Sequence, residues 1–72
     1  MFSVGDVVMN RDTEAYGQVW CITKVNASHP LIIGCKGYEL TYIFSVGEDL
    51  RPFKKIEIFT KKWVEENYEK VE

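Results

Sequence analysis

Two cysteines and one histidine are the side chains of this sequence best suited to metal binding or covalent chemistry. Cys21, His29 and Cys35 are separated by eight and six residues. A structural zinc site normally uses four ligands in short paired spacings, and no fourth ligand stands out here. A cysteine nucleophile needs a base and an orienting group, for which the sequence has no local signature. We therefore expect neither a metal centre nor cysteine catalysis.

The remaining polar residues give no stronger sign of a reaction. A disulfide between Cys21 and Cys35 is feasible if their strands are neighbours, but reduced thiols are expected in a cytoplasmic protein. The adjacent Glu48 and Asp49 offer weak cation binding, because a calcium loop needs a longer series of oxygen ligands. The five glycines stand apart, so no phosphate-binding loop is present. The sequence predicts a non-enzymatic protein without a cofactor.

Aromatic side chains are the better candidates for a functional surface. Trp20, Tyr38 and Tyr42 fall on predicted strands, and both faces of those strands cannot be core in a chain of 72 residues. Tyr16 precedes Gly17 in a predicted loop. Exposed aromatic residues often anchor protein partners. We predict a protein-binding surface that includes Tyr16, Trp20, Tyr38 and Tyr42; the open alternative is that aromatics fill the core and cover the docked helix.

Charge supplies the second candidate surface. The net charge of −2 argues against nucleic acid as the main ligand, because phosphate binding requires a basic footprint. Basic residues are nevertheless concentrated between positions 51 and 62, and an acidic tail follows them. The alternative prediction is a nucleic-acid-associated module that uses Arg51, Lys54, Lys55, Lys61 and Lys62.

Hydrophobic periodicity predicts five short strands, at about residues 7–9, 18–25, 31–33, 38–44 and 55–59. The clearest alternation places Tyr38, Leu40, Tyr42 and Phe44 on one face of the fourth strand. The stretch "GCKG", residues 34–37, is expected to be the turn before it. In the last strand, Ile56 and Ile58 are expected to point inward. Short strands with frequent turn signals indicate a small antiparallel barrel or a strongly bent sheet.

The C-terminal segment changes to a helical period. Val64, Tyr68 and Val71 follow one another at spacings of four and three, which predicts a helix over residues 60–71. Thr60 is an acceptable N-cap, and Trp63 is the expected anchor of the helix on the barrel. Two lysines in the first turn oppose the helix dipole, so the helix must dock to persist.

The whole chain, residues 1–72, is expected to be one domain, with the β-structure over residues 2–59. No apolar run approaches the roughly 20 residues that span a bilayer. The N-terminus "MFSVGD" lacks a signal-peptide pattern, so we expect a cytoplasmic protein without membrane contact. Open edge strands would allow homo-oligomers to form.

The order of these features resembles small barrels of the Src-homology-3-like type. The resemblance lies in "FSVGDVV", "YGQVWCITKV", "HPLIIGCKGYELTYIF" and "LRPFKKIEIF". More narrowly, the chain is similar to a group of short phage and prophage proteins that share a "VGD" opening, a "YG" before an apolar strand and a proline before the last strand. The resemblance implies a five-stranded antiparallel barrel with an added C-terminal helix. It also implies a phage-encoded binding protein in the host cytoplasm.

Such a protein would engage a host or phage protein through the aromatic surface or the C-terminal helix. Related barrels in ribosomal and transcription proteins bind RNA and usually carry basic loops. Here the first loop, "NRDTEAYG", is nearly balanced in charge, which favours a protein partner over nucleic acid.

Overall fold

Five antiparallel strands form a single sheet, and a short helix connects the last two of them. The computed structural model describes residues 1–12, 17–46 and 51–71. Its elements are β1 (Val7–Asn10), β2 (Gln18–Ser28), β3 (Lys36–Ser45), β4 (Ile56–Thr60), α1 (Lys61–Asn67) and β5 (Tyr68–Lys70). The sheet order is β4-β3-β2-β1-β5. The predicted mostly-β, antiparallel architecture with a C-terminal helix is confirmed. The sheet is not closed, because no ladder joins β4 to β5 in the described ranges.

Cross-strand pairing explains which face of the sheet is buried. Directly opposed residues of antiparallel strands point to the same face. The register places Val8 opposite Trp20, and Ile22 opposite Leu40. All four side chains are buried, and Tyr38, Val64 and Tyr68 complete the cluster. The core therefore combines one face of the sheet with one residue of the helix.

The predicted orientation of β4 is wrong by one residue. Ile56 pairs with Thr41 and is 57% exposed, and Ile58 lies only partly buried opposite Glu39. Phe59 instead pairs with the buried Tyr38 and packs against the core. The period of two was correct, but the large aromatic ring at the end of the strand occupies the inner face and sets its phase.

The predicted strand at residues 31–33 is also wrong. β2 extends to Ser28 and β3 begins at Lys36, so these two strands pair directly and leave residues 29–35 as their connecting loop. The apolar residues of this loop are exposed, and Leu31 keeps 86% of its surface accessible. The apolar run of residues 31–33 therefore does not form a strand, because β2 and β3 pair with each other and leave it no neighbouring strand.

The turn predicted at residues 34–37 is correspondingly misplaced. Gly34 lies in the loop and takes a positive φ of 80°, a conformation that glycine adopts without steric cost. Gly37 lies within β3, opposite Thr60 of β4. The second glycine of "GCKG" thus serves the close approach of two strands and not the reversal of the chain.

The C-terminal helix is shorter than predicted, and the segment after it is a strand. Thr60 is the N-cap, and its hydroxyl accepts a hydrogen bond from the Trp63 backbone N–H at 3.3 Å. The helix ends at Asn67, and Tyr68 is extended and pairs with Asn10 of β1. The ladder with β1 takes the place of the further helical turn that the apolar spacing predicts. No helix in the described part of the chain is long and apolar enough to cross a bilayer.

Val64, and not Trp63, anchors the helix. Val64 has no exposed surface, whereas Trp63 is 41% exposed. We expect Val64→Ala to lower the free energy of unfolding by about 2 kcal/mol, because two buried methyl groups are lost and a cavity is left. Glu66→Ala, on the exposed side of α1, should change it by less than about 0.5 kcal/mol. Urea unfolding measures both; equal losses would show that α1 does not hold its position through Val64.

Candidate functional site

The two edges of the curled sheet approach each other without pairing. The ring centroids of Phe59 in β4 and Tyr68 in β5 are 6.4 Å apart, and the rings are tilted by 34°. Val64 of α1 packs in the same cluster. Since side chains and not a hydrogen-bonded ladder bridge this seam, an open cleft remains beside it, with a volume of about 480 Å³.

The cleft has aromatic walls and a polar rim. Its aromatic residues come from β2, β4, α1 and β5: Trp20, Phe59, Trp63 and Tyr68. Its other described residues are Asn10, Asp12, Gln18, His29, Pro52, Glu57 and Thr60. An apolar concave surface with a few polar groups is the usual form of a binding site.

Trp20 carries a buried hydrogen-bond donor that the described residues leave unpartnered. The side chain is 2% exposed, lines the cleft, and has no acceptor within reach of its Nε1. An indole N–H is a donor only, and a buried donor without an acceptor costs about 1–3 kcal/mol. Buried polar groups are satisfied in the great majority of cases, so each exception calls for an explanation. An acceptor of a bound molecule would satisfy this donor once the side chains that cover Nε1, whose accessible surface is below 1 Å², move aside.

Tyr68 forms a fixed, neutral wall of the cleft. Its hydroxyl accepts a hydrogen bond from Asn10 Nδ2 at 3.2 Å, and Asn10 Oδ1 in turn accepts from the Asp12 backbone N–H at 2.7 Å. Burial raises the pKa of Tyr68 well above its ordinary value, and the negative charges of Glu57 and Asp12 raise it further against the lowering effect of Asn10. The hydroxyl therefore stays protonated throughout the physiological range.

The structure separates the four aromatic residues predicted to bind a protein. Tyr16 lies outside the described residues. Trp20 lines the cleft, and Tyr42 packs edge-on against it with ring centroids 5.5 Å apart. Tyr38 is buried in the core, and its hydroxyl donates to Glu65 Oε2 at 2.7 Å. The structure brings Trp20 and Tyr42 together and buries the rings of both Trp20 and Tyr38; binding through these residues stays a prediction.

Three aromatic residues of the cleft were not predicted as site residues. Phe59 was missed because the predicted phase of β4 turned it outward. Trp63 was interpreted as the anchor of the helix and Tyr68 as part of its stripe. If Phe59, the aromatic residue near the end of β4, had been taken to point inward, the alternation along the strand would have indicated it. No local pattern indicates that Trp63 and Tyr68 line the same cleft as Trp20, since the position of Tyr68 depends on the pairing of β5 with β1.

The basic residues of the alternative prediction do not form one patch. Lys54 and Lys55 precede β4, whereas Lys61 and Lys62 follow it. The intervening strand separates the two pairs by roughly 20 Å at about 3.3 Å per residue. Lys61 is also engaged, since its Nζ donates to Asn26 Oδ1 at 2.7 Å and lies 5.7 Å from the centre of the Tyr38 ring. Arg51 is exposed and precedes Pro52. Nucleic-acid binding by these five residues stays a prediction.

The thiols and the imidazole do not converge. Cys21 and Cys35 are both free and partly buried. His29 lines the cleft, and its Nδ1 accepts a hydrogen bond from the Leu31 backbone N–H at 3.1 Å. Within residues 1–12, 17–46 and 51–71, no three side chains of His, Cys, Asp or Glu are grouped so that they could hold a metal ion.

Comparison with known proteins finds no match to this chain. No family model, no curated protein and no solved structure matches the chain. The resemblance to Src-homology-3-like barrels and to short phage proteins therefore stays an expectation from sequence motifs. What this protein binds has to be inferred from its own residues, and the cleft around Trp20 is the feature that offers a built site.

Proposed function

We propose that this protein is a small, non-enzymatic binding module that holds an extended segment of a partner protein in the aromatic cleft. The observation that carries the proposal is the unpartnered Nε1 of Trp20, buried beside a cleft with aromatic walls. A peptide supplies a carbonyl oxygen at every residue, so it provides an acceptor for this donor together with apolar side chains for the rings. Aromatic anchors in desolvated pockets dominate the energetics of many protein interfaces.

The edge position of β4 supports a peptide as the occupant. One side of β4 pairs with β3, and the other side has no ladder partner in the described part of the chain. Glu57, Phe59 and Thr60 of this strand line the cleft. An extended segment that enters the cleft therefore runs beside an unpaired strand edge, where main-chain hydrogen bonds can add affinity and alternate side chains can add specificity.

The partner is a host or phage protein, and the module is phage-encoded and acts in the host cytoplasm. The motifs that support this part of the proposal are Val4-Gly5-Asp6, Tyr16-Gly17 and the proline at position 52. We further assign the fold to an opened form of the Src-homology-3-like barrel. The strand order supports this assignment, since β1 pairs with both β2 and β5 and, within the described residues, no ladder joins β4 to β5.

Selection of decapeptides from a randomised surface-display library against the whole protein tests the proposal. The selected peptides are expected to bind with micromolar Kd. Trp20→Phe, which keeps a ring but removes the N–H donor, should weaken them about tenfold, because one hydrogen bond to a buried donor is lost. Fluorescence anisotropy of labelled peptides measures this change, and circular dichroism confirms that the variant is folded.

Phe44→Ala is the matched control, since Phe44 is an exposed aromatic that does not line the cleft. It should leave the affinity within about twofold. Replacement of Trp20 by its benzothiophene analogue, which keeps the shape of the indole but has no N–H, covers the case in which Trp20→Phe loosens the core. Recovery of no peptide, or of peptides that bind the analogue as tightly as the natural protein, would overturn the proposal.

A further inference from the structure

The charges around the cleft distinguish one kind of peptide from others. Glu57 and Asp12 both line the cleft, and the structure gives neither carboxylate a hydrogen-bond or ion-pair partner among the described residues. No lysine or arginine is found among the described lining residues. The Nδ1 of His29 already accepts a hydrogen bond from the Leu31 backbone N–H. The cleft is therefore apolar at its walls and negative at its rim.

We infer that the cleft selects a segment carrying an arginine side chain, with the guanidinium against the aromatic walls and Glu57, and a neighbouring carbonyl oxygen on Trp20 Nε1. This inference rests on the proposed peptide-binding function. Two independent features point to such a ligand: a buried donor without an acceptor, and two rim carboxylates for which the described residues supply no ion-pair partner. A peptide that contains arginine supplies both groups, since the arginine side chain is the cation and the peptide backbone provides the carbonyl oxygen.

Arginine fits this site better than lysine does. Its planar guanidinium stacks on aromatic rings and donates paired hydrogen bonds to a carboxylate, whereas the lysine ammonium is a compact, strongly hydrated charge. The cleft presents the exposed ring of Trp63 and the rings of Phe59 and Tyr68 near the carboxylate of Glu57. The electrostatic effect of Glu57 and Asp12 on the Tyr68 hydroxyl supports their nearness to these walls.

The negative charge of the cleft rim also affects how fast a ligand associates. A low-dielectric cleft lined by one sign of charge concentrates ligands of the opposite sign and raises their association rate. Three of the protein's basic side chains are engaged in ion pairs with residues that do not line the cleft: Lys24 pairs with Glu39, Lys70 with Asp6, and Arg11 with Glu69.

A matched pair of peptides tests the inference on the whole chain. The probes are acetylated and amidated Ala-Ala-Arg-Ala-Ala and the same peptide with citrulline, which keeps the shape of arginine but is neutral. Titration is followed through the indole N–H signals of Trp20 and Trp63 in a nitrogen–proton correlation spectrum. We expect the arginine peptide to shift the Trp20 signal downfield and to bind at least about tenfold more tightly than the citrulline peptide.

Two variants separate charge from shape. Glu57→Gln should lower the affinity for the arginine peptide about fivefold and leave the affinity for the citrulline peptide unchanged, because only the charged pair is removed. Glu66→Gln, at an exposed residue of α1 that does not line the cleft, should change neither. Raising the salt to about 0.5 M should reduce the difference between the two peptides, since screening weakens charge pairs at a cleft rim.

The possible results of the peptide titrations distinguish a failure of the arginine selection from a failure of the proposed peptide-binding function. Equal affinity for both peptides, with the Trp20 signal shifted, would overturn the selection for arginine and leave the cleft as a peptide site. Shifts confined to residues outside the cleft, or no binding of either peptide, would overturn the inference. The proposed function would then be decided by the library-selected peptides and the Trp20 variants.

Discussion

Gly37→Ala is expected to destabilise the protein by about 3 kcal/mol, the upper part of the range for overpacked positions. A Cβ added at this residue would overlap the carbonyl oxygen of Phe59 and lie 2.9 Å from its carbonyl carbon. Backbone cannot move aside as a flexible side chain can, so β4 must shift away from β3. A chain of 72 residues has a total stability of roughly 4–11 kcal/mol. The loss is therefore a large part of what holds the fold, and urea unfolding measures it.

The same substitution should damage the cleft. Glu57 and Phe59 reach it from β4, and Phe59 is also the residue whose carbonyl meets the added methyl group. Peptides selected on the natural protein should bind Gly37→Ala more weakly, even where the variant is still folded. Gly34→Ala is the control, because an added Cβ meets nothing within 4 Å there and only the positive φ costs about 1 kcal/mol. Similar losses in both variants would contradict the close approach of β3 and β4.

Much of the sheet could be predicted from the sequence, because alternation along a strand is a local property. The strands around Val8, Ile22 and Leu40 were predicted from periodicity, and the structure buries all three residues. The run of Leu31 to Ile33 has the composition of a strand but no partner, since β2 and β3 pair with each other on either side of it. Periodicity gives the faces of a strand; pairing depends on the whole chain.

The C-terminal segment shows how two elements can share one pattern. Val64 and Tyr68 lie four residues apart, which satisfies a helical stripe. In the structure both are buried, yet Val64 is helical and Tyr68 begins a strand. The hydrogen bond from Asn10 to the Tyr68 hydroxyl and the ladder with β1 decide the change. These contacts join residues at least 58 positions apart in sequence, so no local pattern could have indicated them.

The candidate site was the least predictable part for the same reason. Trp20 was predicted as a site residue, but its role as a buried donor without a partner depends on which acceptors surround it in the fold. The cleft takes residues from four strands, from α1 and from the loops between them. The aromatic content of the sequence indicated that some rings would be used for binding; the curl of the sheet determines which rings meet.

The free energy of unfolding is expected to fall as the pH rises above about 10, and Tyr68 is the main cause. Burial raises the pKa of Tyr68 in the folded state above the value of about 10 that applies in the unfolded chain. The folded state therefore keeps the phenolic proton that the unfolded state loses. Stability from this group is complete below about pH 10 and falls by about 1.4 kcal/mol per pH unit above it, until the folded-state pKa is reached. Tyr38, whose pKa is also raised by burial and by Glu65, adds to the loss.

Urea unfolding at a series of pH values between about 9 and 11.5 measures the slope. Tyr68→Phe should cost about 1 kcal/mol at neutral pH, because the hydrogen bond from Asn10 is lost. Above pH 10 the same variant should lose stability less steeply than the natural protein, and a slope unchanged by it would contradict the prediction. Because the charge of Glu57 contributes to the raised pKa, Glu57→Gln should bring the tyrosinate transition of Tyr68 to lower pH and leave that of Tyr38 in place. That difference would measure the negative charge of the cleft without any ligand.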